Sequence, residues 1–100
     1  MYQLRYLEQA RRDLLQIKRY IARESGSDAI ALRFTETLRQ RCQQLATLPG
    51  TMGRARPELA EGIRSIPFGN YVILFRYRGQ LLEIVTIIEG HQDIDDLFHP

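Results

Sequence analysis

"YVILFRYRGQLLEIVTIIE", residues 71–89, decides the fold of this 100-residue chain. Its first eight residues alternate, with Tyr71, Ile73, Phe75 and Tyr77 on one face of an extended segment and Val72, Leu74, Arg76 and Arg78 on the other. A period of two marks a strand whose faces meet different surroundings. Gly79-Gln80 supplies a short hairpin turn. Residues 81–89 are then nearly continuously apolar, as in a strand covered on most of its surface. Just upstream, "GIRSIPF" (62–68) reads as a shorter strand joined through a Gly69-Asn70 turn. Pro67 has no backbone donor, which places this strand on a sheet edge or ends it there.

Towards the N-terminus the period changes. Leu7, Ala10, Leu14, Ile17 and Ile21 recur at steps of three and four, the apolar face of an amphipathic helix. Gly26 is a natural C-cap, and Ser27 or Asp28 can cap the next helix. That helix carries Ala31, Phe34, Leu38, Cys42, Leu45 and Leu48 on one face and stops at Pro49-Gly50. Two helices joined by a tight turn form an antiparallel hairpin. Before them, "YQLRY" (2–6) sets Tyr2, Leu4 and Tyr6 against Gln3 and Arg5, the pattern of a first strand. Residues 50–61, "GTMGRARPELAE", read as a Gly/Pro-punctuated connection with no sustained period. The expected architecture is α+β in the order β-α-α-β-β-β, one domain over residues 1–100. A helical hairpin packs on one face of a small, mainly antiparallel sheet and leaves the other face curved and open.

With 44% hydrophobic and 26% charged residues, the composition is that of a globular chain rather than a disordered one. No apolar stretch approaches the roughly 20 residues that span a bilayer. The opening "MYQLRYLEQARRDLL" is charged throughout and lacks the apolar core of a secretory signal. Cys42, the only cysteine, rules out an internal disulfide and falls on a helical apolar stripe, as a small core residue would. A cytoplasmic protein without cofactor is expected. Net charge is +2, unevenly placed: residues 79–100 hold five acids and no Lys or Arg, so all 14 basic residues lie before them. Thirteen of those are arginine, which suits bidentate pairing with carboxylates or phosphates. Such a molecule fits a nucleic-acid or acidic-protein partner, or simply a solvated surface.

"ARRDLLQIKRYIARESG" (10–26), followed by "LATLPGTMGRARPELAEGIRSIPFGNYVILFRY" (45–77), resembles the ParE branch of the RelE/ParE toxin superfamily. The specific parts are the DLxxIxxYI helix, the GRxRPEL connection and the GIRSxPxxxYVILFRY hairpin, present in that order. The resemblance implies the toxin of a bacterial type II toxin–antitoxin system. It implies a cognate antitoxin, of the ParD-like ribbon-helix-helix kind, that also carries the complex to operator DNA. It implies DNA gyrase as a target inhibited by binding. RelE-like relatives on the same fold are ribosome-dependent mRNA endoribonucleases, and a third reading is a non-toxic, antitoxin-binding component of an operator complex.

Residue chemistry separates these readings. Metal-free RNA cleavage needs a group that accepts a proton, cations for the phosphorane and an acid for the leaving oxygen. Here the candidates are Arg54, Arg56, Arg64 and Arg76, with His91 or His99 as the titratable group. Arginine stays protonated and makes a poor general base. Lys18, the only lysine, lies on the first helix. Catalysis by the chain itself is therefore not expected. Arg54, Arg56, Arg64, Arg76 and Arg78 instead read as a basic strip for target or antitoxin. The alternative is that Arg64 and Arg76 pair internally with Glu58, Glu61, Glu83 or Glu89. The tail "IIEGHQDIDD" (87–96) gathers Glu89, His91, Asp93, Asp95 and Asp96. Its Glu89-Gly90-His91-Gln92-Asp93 stands where ParE-like relatives typically read HGxRD, so a cation is replaced by Gln92. With no second His or Cys cluster to complete a shell, no metal is expected, and the tail reads as a polar stop with Asp93 as a cap.

Overall fold

The turn at Gly79-Gln80 brings β4 (Tyr71–Arg78) against β5 (Leu81–Glu89) along their whole length, from Tyr71 opposite Glu89 to Arg78 opposite Leu81. Gly79 turns at φ 58°, a conformation that costs glycine least. The computed structural model describes residues 1–90. The other elements are β1 (Gln3–Tyr6), α1 (Glu8–Ser25), α2 (Asp28–Ala46), β2 (Arg54–Ala55) and β3 (Arg64–Phe68). Together the strands form one sheet in the order β1-β5-β4-β3-β2. All neighbours are antiparallel except β1 and β5, which run parallel with Gln3 opposite Leu81 and Tyr6 opposite Ile84.

The helices form where the period of three to four predicts. Gly26 ends α1 in the left-handed conformation at φ 69°, and its N–H returns to the carbonyl of Ala22. Ser27 caps α2, its side chain accepting the N–H of Ile30 at 3.2 Å. The α2 helix closes at Ala46 rather than running to Pro49, because Thr47 and Leu48 donate to Gln44 and Leu45 in a tightened final turn. Leu14, Ile17, Leu38 and Leu45 bury against Phe75 and Ile84 on the inner face of the sheet.

Three features depart from the sequence reading. First, β5 carries a bulge: Leu74 faces Thr86 while Phe75 faces Ile84, leaving Val85 as the extra residue. The bulge puts both Ile84 and Ile87 in the inner core although they are three apart, while Val85 and Ile88 face outwards. This is why residues 81–89 lack clean alternation. Second, the connection contains β2, a two-residue strand that pairs Arg54 with Ser65 and Ala55 with Arg64. The sheet therefore has five strands, and β3 has a neighbour on both sides at its start. Pro67 falls beyond the residues paired with β2, where a missing donor is tolerated. Third, the outer face is not open throughout. Leu59 and Ile63 fold over it and bury against Leu74 and Ile88, a second small core. Gly53 enters this connection at φ 74° so close to the sheet that an added Cβ would lie 2.7 Å from the carbonyl oxygen of Ser65.

Candidate functional site: a groove beside the last strand and a basic outer face

Strand β1 stops at Tyr6, and Leu7 donates its N–H to the carbonyl of Ile84 at 3.0 Å before α1 begins. The outer half of β5 has no strand on that side among the described residues. Asp13 of α1 takes the place of one: its Oδ2 accepts the N–H of Ile87 at 2.9 Å and the hydroxyl of Thr86 at 2.5 Å. Its other oxygen accepts Gln9 Nε2 at 2.9 Å. Three donors offset the burial of a carboxylate that is only 8% exposed. The aspartate of the DLxxIxxYI motif thus fastens helix to sheet.

Above Asp13 lies a groove of about 730 Å³ between α1 and β5, lined by Ile17, Tyr20, Arg23, Tyr71, Ile87 and Glu89. Tyr20 stands half exposed on its rim. The ring of Tyr71 lies 5.8 Å from that of Phe34, which meets Phe68 edge-on at 5.5 Å, and burial raises the Tyr71 phenol above its ordinary pKa. Apolar and aromatic walls with a few polar groups at the edges suit an amphipathic segment of another chain.

The arginines do not form one strip. Strand parity puts Arg64, opposite Phe75, towards the helix side, and its guanidinium donates to the carbonyls of Met52 at 2.6 Å, Thr51 at 2.9 Å and Gly53 at 3.0 Å. It ties down the connection that starts β2. Arg54 lies opposite Ser65, and Arg56 reaches Ser65 Oγ at 3.4 Å and Glu58 at 2.7 Å, so both belong to the outer face. Arg76 and Arg78 lie on the same face. Arg76 Nε donates to Glu83 Oε1 at 2.8 Å, and Arg78 Nη1 lies 3.7 Å from the same oxygen. The Arg76–Glu83 pair is the internal partnership that the sequence allowed.

Glu83 is 2% exposed, covered by these arginines and not sunk in the apolar core. The hydrogen bond from Arg76 holds its carboxyl below the ordinary carboxylate range, helped by the charges of Arg76, Arg78 and Arg5 and opposed by burial. Arg5 sits directly opposite Glu83 on β1. The sequence reading did not single it out: the parity of Leu4 and Tyr6 turns it outwards, but only the parallel β1–β5 pairing brings it to Glu83.

Cys42 is fully buried, and burial pushes its thiol up to about 11, so it stays protonated and inert in the core. Among the described residues no three His, Cys, Asp or Glu side chains gather as metal ligands, and no helix is long and apolar enough to cross a membrane. Glu89 ends β5 exposed, and Gly90 donates to the carbonyl of Asn70 at 2.7 Å. His91, Gln92, Asp93 and the remaining acidic tail, with His99, lie outside the described residues.

A chain of the chromosomal ParDE toxin–antitoxin system from P. aeruginosa has a similar structure, with a TM-score of 0.76 and 22% sequence identity over 89% of this chain and 96% of that one. No curated protein sequence matches. The family model described as "ParE toxin of type II toxin-antitoxin system, parDE" matches residues 4–94. Since that match runs from within β1 through both helices, the other four strands and the GRxRPEL connection, the chain belongs to the ParE toxin family of type II toxin–antitoxin systems.

Proposed function

We propose that this chain is a toxin that acts in the cytoplasm by binding DNA gyrase, and that a ParD-like antitoxin neutralises it by occupying the groove between α1 and β5. Operator DNA is reached only through that antitoxin. The observation that carries the binding mode is the chemistry of the outer face. Its charged groups include Arg5, Arg54, Arg56, Arg76 and Arg78, with Glu58 paired to Arg56 and Glu83 held ionised by Arg76. Guanidinium groups hold their protons at neutral pH, and a carboxyl held below its ordinary range is a weak base. Such a face recognises anions and does not shuttle protons, which favours a binding toxin over a ribonuclease.

The groove supports the second half of the reading. A flexible antitoxin segment that folds along Ile17, Tyr20 and Tyr71 binds only the folded toxin and stabilises it by mass action. A hundredfold excess over Kd corresponds to about 2.7 kcal/mol. The experiment is expression of the chain without antitoxin. Filamentous cells with DNA-damage signalling are expected, together with co-purification and a raised Tm when the antitoxin is supplied. An arrest of translation with ribosome-dependent mRNA cleavage would replace the gyrase reading by the ribonuclease one. An absence of any toxicity would leave an antitoxin-binding operator component.

A further inference from the structure

We propose that the outer face carries a phosphate-binding site, formed by the guanidinium groups of Arg5, Arg76 and Arg78 and held in shape by Glu83. The site deepens the basic-face half of the functional reading and is independent of the antitoxin groove.

The sheet order makes the site. Strands β1, β5 and β4 are consecutive neighbours, and Arg5, Glu83 and Arg76 stand in one cross-strand row. Strands lie about 4.8 Å apart, so the backbones of Arg5 and Arg76 are about 10 Å from each other. Two arginine side chains can close that distance above the glutamate between them. Arg78, two residues along β4, faces the same way and comes within 3.7 Å of the same carboxylate oxygen. Three positive charges thus surround one negative charge, a local excess of two.

Glu83 does more than neutralise. It lies beneath the cluster, 2% exposed, and takes the Nε–H of Arg76 at 2.8 Å. That bond fixes the guanidinium plane and leaves both Nη groups of Arg76 as donors. Arg76 and Arg78 keep 37% and 67% of their side-chain surface in solvent, so a ligand can reach them. A phosphate is favoured over a carboxylate because the donors come from two strands on opposite sides of Glu83. A tetrahedral oxyanion can accept from all of them, whereas a planar carboxylate accepts one fork at a time. Among the described residues, no aromatic side chain stands beside the cluster on the outer face of β1, β4 or β5, so the contacts proposed are to the phosphate rather than to a base. The phosphate can belong to a small free compound or to the backbone of a nucleic acid.

The test uses the full purified chain and two probes, inorganic pyrophosphate by calorimetry and a fluorescein-labelled single-stranded 12-mer DNA by anisotropy. Arg76→Gln and Arg78→Gln are each expected to weaken binding about tenfold, while Arg19→Gln, the same charge change on the exposed side of α1, leaves it unaltered. Glu83→Gln is decisive because it adds a net positive charge. A diffuse electrostatic patch would then bind more tightly, whereas a site shaped by Glu83 binds more weakly. Thermal melts accompany each variant, and Arg78→Gln, whose side chain is mostly in solvent, keeps the test valid if Arg76→Gln unfolds. Pyrophosphate binding without DNA binding assigns a small phosphate compound. DNA binding with a salt slope that falls by about one in each arginine variant assigns a nucleic-acid backbone. No binding of either probe, equal losses in Arg19→Gln, tighter binding by Glu83→Gln, or equal affinity for a poly-glutamate peptide would overturn the proposal. Toxicity and antitoxin binding are read separately, so failure here leaves the antitoxin groove standing.

Discussion

Replacing Asp13 removes the side chain that hydrogen-bonds α1 to the free edge of β5. In Asp13→Ala the Ile87 N–H and the Thr86 hydroxyl both lose their acceptor, and Gln9 loses its own. The Ile87 amide lies under α1 where water does not replace the carboxylate readily, and an unsatisfied buried donor costs about 1–3 kcal/mol. Thr86 and Gln9 can turn towards other partners, so their losses are smaller. Removing a buried carboxylate that has no cation partner among the described residues returns part of its desolvation cost. The net expectation is a loss of roughly 2–3 kcal/mol, or a Tm lowered by roughly 10–20 °C in a domain of this size. Asp13→Asn keeps one acceptor for Ile87 and should lose only about 1 kcal/mol, the difference between charged and neutral hydrogen bonds. Urea melts give the energies, and amide hydrogen exchange at Ile87 gives the mechanism, since its protection should fall in Asp13→Ala beyond the global loss. A double-mutant cycle with Thr86→Val should show a coupling of about 1 kcal/mol. An Asp13→Ala protein within 0.5 kcal/mol of the parent, or an unchanged rate at Ile87, would refute the reasoning.

Three further outcomes follow from the same geometry. Because the Glu83 carboxyl sits below its ordinary value of 4.5, its contribution to stability is complete above that pH and disappears as the pH falls through the lowered value. Glu83→Gln should therefore flatten the acid limb of a stability-versus-pH curve, and an unchanged limb would show that other carboxylates dominate it. Arg64→Met should free the carbonyls of Thr51, Met52 and Gly53, lowering stability by about 1–2 kcal/mol and opening residues 50–55 to limited proteolysis while the helices stay protected. Leu59→Ala should destabilise by about 2–4 kcal/mol although Leu59 lies in a connection, because it is 1% exposed in the second core; a surface-like change below 0.5 kcal/mol would contradict that packing.

Much of this was legible because period and punctuation agree. The alternation from Tyr71 to Arg78, the helical spacing of Leu14 and Ile17, and the glycines at 26 and 79 each fix an element by local rules. What stayed hidden depends on contacts distant in sequence. Strand β2 is two residues long, and the contacts that accompany it, Arg64 on the preceding carbonyls and the close approach of Gly53 to the sheet, are not local in sequence. Leu59 and Ile63 carry no period, so their burial could not be read before the loop was seen to fold back on the sheet. Among the site residues, Arg76 and Arg78 were recognisable from strand parity. The separation of Arg64 from them was also implicit in parity, since it faces Phe75 across the β3–β4 pair. Arg5 and Asp13 were not recognisable, because each acquires its role from β5, more than 70 residues later.

That parallel pairing at the sheet edge also orders events in time. During synthesis the helical hairpin closes early, since its contacts are local. Strand β1 is made well before its partner, since β5 begins 78 residues after Gln3. At 5–20 residues per second, β1 waits roughly 4–16 s for its strand neighbour. Until then Arg5 has no Glu83 beside it, Asp13 has no Ile87 amide to hold, and the groove has only one wall. A nascent chain thus lacks both candidate binding surfaces until β5 has been made.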